Sequence, residues 1–233
     1  MAQLFLCGGK ADDAPDLELV GLFADAVLSA KSKKLLFVPA AHPEGMFNGI
    51  NITYDLFHSS MKKSYATYGI DRVDMWTDLA GKKYSDLEKY GGVHILGGNT
   101  FDLLYKFRES GFDKLLSRYI DGNGAVFGCS AGAIALGKDI GTARFGGDPD
   151  KDARGLKDLS GFGCVGGYSV ICHYREAEDE KIAKYVSEKG KVIALMEDSG
   201  LHICDDVINI VGADAVAFEN KNRRVLKAGK VLD

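Results

Sequence analysis

The chain has 233 residues, of which 46% are hydrophobic and 27% charged, so it is long enough to bury a large core and has the composition of a globular protein rather than of a disordered chain or a coiled coil. Its 29 Lys and Arg residues against 33 Asp and Glu residues give a formal net charge of −4, and no basic block would neutralise a run of phosphates, so nucleic acid is not an expected partner. No run approaches the about 18 uninterrupted apolar residues of a membrane helix, which predicts no membrane partner and a cytoplasmic location, with residues 1–233 forming one domain.

Five cysteines are spread along the chain without a C-x-x-C pair: Cys7, Cys129, Cys164, Cys172 and Cys204. An odd, dispersed set predicts reduced and mostly buried thiols, with neither a disulfide framework nor a metal site. The sequence CGGK after the first apolar run lacks the G-x-G-x-x-G spacing of a dinucleotide site, so no cofactor is expected.

Short apolar runs alternate with amphipathic segments from the first residues to about residue 174. The runs, in chain order, are QLFLCGG, KLLFVPAA, RVDMW, GGVHILGGN, GAVFGCS and YSVICHY. Their alternation with helical patterns predicts βαβ units, and their lack of polar alternation predicts strands that are covered on both faces. The predicted fold is a doubly wound, mostly parallel α/β sheet with helices on both faces.

The segments between and after these runs carry their own signals. Val20 and Val27 belong to an apolar stripe at helical spacing, as do Ile182 and Val186 further on. Residues 137–167 show no sustained period and are rich in Gly and Asp, which predicts a long loop with at most short elements, a feature that is usually functional or mobile. The last predicted strands are KVIALMEDSGLHI, VINIV, AVAFE and RVLKAG.

The strongest local motif is Gly128-Cys129-Ser130-Ala131-Gly132, which directly follows the apolar run GAVF and opens the helix-compatible AGAIAL. This is the G-x-S-x-G pattern of a nucleophile elbow in the strand-turn-helix context that the motif requires. Ser130 would present its hydroxyl at the carboxyl edge of the sheet, where free backbone N–H groups can stabilise an oxyanion. The alternative is a glycine-rich turn with a helix-capping serine.

A serine hydroxyl needs a base, and the chain offers five histidines: His42, His58, His94, His173 and His202. His94 lies inside an apolar strand and His58 inside a helical segment, so both are expected to be structural. His173 follows the strand SVIC, at the kind of strand end where α/β sheets present ligand-binding loops, and is the preferred base. A non-catalytic role for His173 remains the alternative.

A second oxyanion donor is expected from the loop Gly97-Gly98-Asn99, which follows another strand. Two glycines allow the backbone N–H groups to approach a substrate closely, and the Asn99 amide can donate or accept a hydrogen bond. Taken alone, the same tripeptide is equally typical of a helix N-cap turn.

With ILGGNTFDLL and GCSAGA at strand ends and His173 following them, the chain resembles the peptidase E (α-aspartyl dipeptidase) and cyanophycinase family of serine peptidases, whose fold is related to the class I glutamine amidotransferases. The resemblance spans most of the chain. It implies Ser130 as nucleophile, His173 as base, the amides of Gly98 and Ala131 as oxyanion hole, and no metal. It further implies that Asn99 helps to recognise an N-terminal aspartate.

The third member of the triad departs from the peptidase E pattern. Peptidase E has an aspartate about fifteen residues after the serine, where this chain has Phe145. Cyanophycinase-like members use a later acid, which makes Glu197 in ALMEDSG the preferred candidate. Asp148, Asp198, Glu176 and the absence of a third member remain alternatives, and Asp148 and Asp150 would lie near the family position only in a longer loop.

The residues after the histidine also depart from the family. Peptidase E reads the substrate carboxylate with an arginine in this region, and here only Arg175 is available, among acids at 176, 178, 179 and 180 that are typical of a solvated helix start.

The resulting prediction is a serine hydrolase that cleaves a small peptide, with an N-terminal Asp dipeptide as the family substrate, through an acyl-enzyme. The alternatives are a non-catalytic module that binds a small metabolite or a protein partner, and a redox or nucleophilic role for Cys129. Formation of a homodimer is left open.

Overall fold

The computed structural model describes residues 2–9, 18–42, 44–47, 50–147, 149–220 and 222–232. The strands are β1 Gln3–Cys7, β2 Lys34–Val38, β3 Gly45–Phe47, β4 Ile50–Ile52, β5 Arg72–Met75, β6 Gly92–Ile95, β7 Ala125–Cys129, β8 Ser169–Ile171, β9 Val192–Leu195, β10 Ser199–Cys204, β11 Val207–Gly212, β12 Ala215–Glu219 and β13 Asn222–Leu226. The α-helices are α1 Glu18–Ser29, α2 Tyr54–Ala66, α3 Tyr84–Leu87, α4 Thr100–Ser110, α5 Phe112–Asp121, α6 Ala131–Leu136 and α7 Asp179–Lys189.

The larger sheet has seven strands in the order β11-β10-β1-β7-β6-β2-β5. Five neighbouring strands of this sheet, β1-β7-β6-β2-β5, pair in parallel. Strands β10 and β11 form a hairpin that pairs antiparallel with β1. Parallel neighbours bring their carboxyl ends to one edge, so the segments that follow β1, β6 and β7 meet there.

Helices cover both faces of this sheet, as the apolar runs predict. In β1, Leu4 and Leu6 pack into the cluster that contains α4, α5 and α6, whereas Phe5 and Cys7 pack on the opposite face against α1 and α2. Alternate side chains of a strand point to opposite faces, so a run that is apolar throughout requires a cover on each side. The predicted doubly wound, mostly parallel α/β fold is confirmed.

One feature departs from the prediction: β8 does not join the large sheet. It forms a four-stranded sheet in the order β13-β12-β9-β8, in which β8 and β9 are parallel. The antiparallel hairpin-like strands near the end of the chain were predicted, but their union with β8 in a second sheet was not. The two parallel strands place residues 172–174 and 196–198 side by side, because both segments leave the sheet at the same edge.

The long segment 137–167 contains a single 3₁₀ helix, Ile140–Arg144, and otherwise runs as loop through its described residues. It is fastened to α6, because backbone N–H groups of residues 161–164 donate to carbonyls of residues 135–138 over 2.8 to 2.9 Å. Among the helices of the described ranges, none combines the length and the apolar character that a membrane crossing requires.

Candidate active site

Ser130 stands on a sharp turn between β7 and α6. Its backbone has φ 46° and ψ −105°, a strained conformation for a residue with a side chain, which costs about 1–3 kcal/mol. The two flanking glycines make the turn possible, because a Cβ on Gly128 would lie 2.6 Å from the carbonyl carbon of Gly132, and one on Gly132 would lie 2.7 Å from the carbonyl oxygen of Ile95. The Ser130 N–H donates to the Cys7 carbonyl at 3.0 Å, which ties the turn to the end of β1.

His173 reaches this serine from the second sheet. Its Nε2 lies 2.8 Å from Ser130 Oγ. The residue follows β8 with φ 54°, and its backbone is held on both sides: its N–H donates to the Gly8 carbonyl at 3.2 Å and its carbonyl accepts from the Gly147 N–H at 3.0 Å. These backbone hydrogen bonds therefore orient the His173 imidazole toward Ser130.

Glu197 completes a hydrogen-bonded series. It follows β9, and its Oε1 lies 2.8 Å from His173 Nδ1. Because a carboxylate only accepts hydrogen bonds, Nδ1 carries the proton of a neutral imidazole and Nε2 is left to accept from Ser130 Oγ–H. The side chain of His173 is 30% exposed and that of Glu197 is 51% exposed, so solvent and substrate can reach the pair.

The alternative acids have other positions. Glu176 forms an ion pair with Arg223 at 3.0 Å, and Asp198 lines a small pocket with Ser199 on another part of the surface. Asp148 lies outside the described residues. Among the described candidates, Glu197 is the carboxylate within hydrogen-bond distance of the His173 ring.

The two predicted amide donors flank the serine. Gly98 has φ 131°, and a Cβ there would lie 2.5 Å from the Ala41 carbonyl oxygen, so this position requires glycine. Its neighbour Gly97 comes so near the elbow that a Cβ would lie 3.3 Å from the Ser130 Cβ. Ala131 is the first residue of α6, where a backbone N–H has no acceptor within its own helix.

Asn99 caps a helix, which was the alternative role that the sequence analysis gave to its tripeptide. Its Oδ1 accepts from the Asp102 N–H at 2.9 Å, which caps α4, and its Nδ2 donates to the Lys151 carbonyl at 3.0 Å. The side chain also lines the cavity in front of Ser130. The structure thus places Asn99 at the site, with its amide engaged by the protein.

Arg175 lines the same cavity, and its guanidinium lies against the backbone of Gly147. The acids that follow Arg175 in the sequence contact other partners. Arg223 on β13 pairs with Asp179 at 2.7 Å as well as with Glu176, and Glu178 accepts from the Gly146 N–H. Glu176, Glu178 and Asp179 are therefore engaged by other parts of the protein, which the sequence pattern alone did not indicate.

The other histidines are distant from the elbow or lie in the cavity wall. His94 is buried and its Nδ1 hydrogen-bonds to Tyr65 Oη at 2.8 Å, and burial lowers its pKa to about 3. His58 donates from Nε2 to the Val73 carbonyl at 2.7 Å, and burial lowers the pKa of His202. The structural roles predicted for His94 and His58 agree with these contacts.

The cavity in front of Ser130 has a volume of about 610 Å³, which is within the usual range of small-molecule sites. Its wall carries both apolar and polar side chains. The apolar ones include Ile52, Phe57, Leu96, Ile134 and Phe145, and the polar ones include His42, Asn99, Asp150 and Arg175.

Two contributors to the site, Phe57 and Gly9, were missed by the sequence analysis, and two others, His42 and Asp150, were named there without this placement. His42 and Phe57 pack edge to face in the wall, with ring centroids 4.9 Å apart. Asp150 Oδ2 accepts from the Thr100 N–H at the start of α4. Gly9 faces the His173–Glu197 pair, and the sequence signal available for it was the paired glycines directly after β1.

The cysteines around the elbow are packing residues. Cys7 and Cys129 are neighbours on β1 and β7 and belong to the apolar cluster beneath α1. The thiol of Cys129 is buried and lies 3.8 Å from the Gly9 carbonyl. Burial raises the pKa of Cys172 well above its usual value, which disfavours the reactive thiolate.

A doubly wound α/β sheet whose strand end carries a serine, hydrogen-bonded in series to a histidine and a carboxylate from the strand ends of a second sheet, is an arrangement typical of hydrolytic enzymes. The particular family follows from comparison with known proteins. The model of peptidase family S51 matches residues 4–211, so the chain belongs to peptidase family S51 and is a peptidase.

The similar proteins support this assignment. Peptidase E of Pasteurella multocida is 28% identical over 218 residues, which cover 90% of this chain and 88% of that protein. An uncharacterized peptidase of Listeria monocytogenes is 26% identical over 188 residues, covering 80% and 84% respectively. The resemblance to peptidase E that the two motifs indicated is confirmed.

Two solved structures share the fold. A peptidase from an acI-B1 actinobacterium superposes with a TM-score of 0.74 at 17% identity, over 100% of this chain and 97% of that one. A Listeria monocytogenes protein described as a peptidase E candidate has a TM-score of 0.62 at 23% identity, over the whole of both chains. At these identities the likeness concerns the fold.

Proposed function

We propose that this peptidase is a serine peptidase that forms an acyl-enzyme on Ser130. The observation that carries the proposal is the unbroken hydrogen-bonded series of Ser130 Oγ, the His173 ring and Glu197 Oε1, each contact 2.8 Å long. A serine hydroxyl becomes a useful nucleophile only when a base lies within hydrogen-bond reach and is itself held in one orientation. The strained turn and the cavity in front of it give the hydroxyl access to a substrate.

The reaction runs in two halves. Ser130 Oγ attacks the peptide carbonyl carbon while its proton passes to His173 Nε2, and the proton is then given to the leaving amine as the C–N bond breaks. Water attacks the resulting ester with His173 again as the base, which releases the acid and restores the hydroxyl. Glu197 keeps the Nδ1 proton in place and stabilises the imidazolium that forms twice in each cycle.

The negative charge on the carbonyl oxygen needs donors that are already in position. The N–H groups of Gly98 and Ala131 are proposed for this role, since both belong to backbone segments that flank Ser130. Removal of a single donor of this kind costs about 100- to 1000-fold in rate in a well-studied serine peptidase.

The proposed substrate is a small peptide, with an N-terminal aspartyl dipeptide as the first candidate. Arg175 is the proposed partner of the substrate carboxylate, because its guanidinium lines the cavity while the neighbouring acids are engaged by Arg223 and Gly146. Asn99 is proposed to contribute through the hydrogen-bonding capacity that remains beyond its cap and its bond to Lys151.

The test is hydrolysis of a panel of Asp-X and Ala-X dipeptides by the wild-type chain and by Ser130→Ala. Loss of the nucleophile is expected to reduce kcat by more than about 1000-fold. Ser187→Ala is the matched control, because this serine lies on the exposed side of α7, where its hydroxyl donates to the Lys184 carbonyl.

Labelling with a fluorophosphonate separates the proposal from the alternative of a binding module. An activated serine is modified rapidly at one site, and mass spectrometry of peptides would locate the label on Ser130. Equal dipeptidase rates in wild type and Ser130→Ala would remove Ser130 from the mechanism. A chain that hydrolyses no dipeptide and resists the label would favour a non-catalytic role.

A further inference from the structure

Two glycines follow β1 directly and lie between the segments that carry the histidine and the carboxylate. The Gly8 carbonyl accepts from the His173 N–H at 3.2 Å, and the Gly8 N–H donates to the Ser199 carbonyl at 2.9 Å. A Cβ on Gly8 would lie 1.8 Å from the carbonyl oxygen of Met196. Gly8 therefore touches the backbone on either side of Glu197 as well as that of His173.

Gly9 faces the side chains of the same pair rather than their backbone. A Cβ on Gly9 would lie 2.2 Å from Glu197 Oε2, 2.5 Å from His173 Cε1 and 2.7 Å from His173 Nδ1. All three distances are shorter than any real Cβ contact. Gly9 is not in the left-handed region of φ, so its backbone could accept another residue and the requirement for glycine comes from the neighbouring side chains.

The atoms that a new side chain would meet differ between Gly8 and Gly9, and so does the expected effect of a substitution. At Gly8 the obstacle is a backbone carbonyl, which can move only with the strand end that carries it. At Gly9 the obstacles are the ends of two side chains, and the carboxylate is half exposed. A side chain at Gly9 would therefore displace the His173 imidazole and the Glu197 carboxylate and leave the fold intact, because this costs less free energy than moving the backbone.

We propose that Gly9 is a positioning residue for the reaction: the absence of its side chain provides the space in which the His173 ring and the Glu197 carboxylate lie against each other, and so keeps Nε2 at Ser130. The proposal rests on the proposed function, since it concerns the same three side chains. It assigns to Gly9 a task that is distinct from phosphate or nucleotide binding.

The first experiment compares wild type with Gly9→Ala on the most rapidly cleaved dipeptide of the panel. We expect kcat and the rate of fluorophosphonate labelling to fall by about 100-fold, because a displacement of roughly 1 Å in reacting groups has a cost of that order. KM should stay within about twofold and Tm should remain near the wild-type value, because the fold is retained.

Gly21→Ala is the matched control for this substitution. Gly21 lies in α1, and a Cβ there would make an ordinary contact of 3.6 Å with the Tyr68 ring. Its kcat and labelling rate should equal those of the wild type. A Gly9→Ala chain that is fully active, or one that unfolds, would overturn the proposal, because the collision would then have been absorbed harmlessly or by the backbone.

A double-mutant cycle with Glu197→Ala tests whether Gly9 acts through the pair. Removal of the carboxylate abolishes the nearest collision, so Gly9→Ala should lower kcat by a smaller factor in the Glu197→Ala background than in the wild type. Equal factors in both backgrounds would contradict the proposed route. Failure of the proposed function is seen separately, as an unaltered rate in Ser130→Ala.

Discussion

His94 provides a test of the fold around the site that can be stated in numbers. The ring is enclosed by aromatic side chains from three elements, namely Phe37 of β2, Tyr65 of α2 and Phe127 of β7. Within the part of the chain that the structure describes, its Nε2 has no hydrogen-bond partner. Burial in this apolar shell lowers the pKa of His94 to about 3.

This pKa makes the native state sensitive to acid. In the unfolded chain the imidazole takes up a proton below about pH 6.5, whereas the folded chain keeps it neutral until about pH 3, so the unfolded state binds more protons over that window. The stabilisation is present in full above pH 6.5 and is lost as the pH falls. At about 1.4 kcal/mol per pKa unit, the loss is about 2 kcal/mol between pH 7 and pH 5 and about 4 kcal/mol by pH 3, where the folded state also begins to take up the proton.

The assay is guanidinium unfolding at pH 7, 6 and 5, followed by the fluorescence of Trp76, the single tryptophan of the chain. The variant His94→Leu/Tyr65→Phe removes the titrating ring and its hydroxyl partner together, so no buried polar group is left behind from the pair. Its loss of unfolding free energy between pH 7 and pH 5 should be smaller than that of the wild type by about 2 kcal/mol.

Tyr65→Phe alone is the control, because it retains the buried imidazole and should retain the acid sensitivity. The two experiments separate the titration of His94 from a general effect of changing this part of the core. If wild type and the double variant lost the same free energy between pH 7 and pH 5, the assignment of the acid sensitivity to His94 would be refuted.

Three further substitutions test the site. Glu197→Gln keeps the shape of the side chain but no longer fixes the His173 proton, so kcat should fall by about 100-fold or more in steady-state dipeptide kinetics, and an unchanged kcat would contradict its role. Arg175→Ala should raise the KM of Asp-X substrates about 10-fold more than the KM of Ala-X substrates, and an equal rise for both would exclude recognition of the aspartate side-chain carboxylate. Gly128→Ala meets the Gly132 backbone at 2.6 Å and should lower stability by about 1–3 kcal/mol, seen as a lower Tm.

The elbow could be predicted from the sequence because its requirements are local. Five consecutive residues, 128–132, supply the turn, the hydroxyl and the small neighbours that the turn needs, and the flanking apolar run and helix complete the context. His173 could be preferred from its position after a strand, and His94 and His58 could be set aside because they lie inside predicted elements. Glu197 could be preferred only through family resemblance, since several acids lie at comparable positions along the chain.

The second sheet could not be predicted, because the strands around residues 169–171 and 192–195 have the same apolar character as those of the large sheet. Their membership is decided by pairing with β12 and β13, which come later in the chain. The environment of Arg175 could not be predicted either, because it too depends on residues that come much later in the chain. Glu176 and Asp179, which follow Arg175, pair with Arg223, more than forty residues away in sequence.

The end of β1 connects two groups of the site that are held by different sheets. Ser130 is held by the large sheet, whereas His173 and Glu197 are brought together by the parallel pairing of β8 and β9 in the small one. The Ser130–His173 contact of 2.8 Å therefore joins groups held by different sheets. At this junction the backbone of residues 7–8 accepts hydrogen bonds from both Ser130 and His173, so one strand end fixes the separation of the two groups on which the proposed chemistry depends.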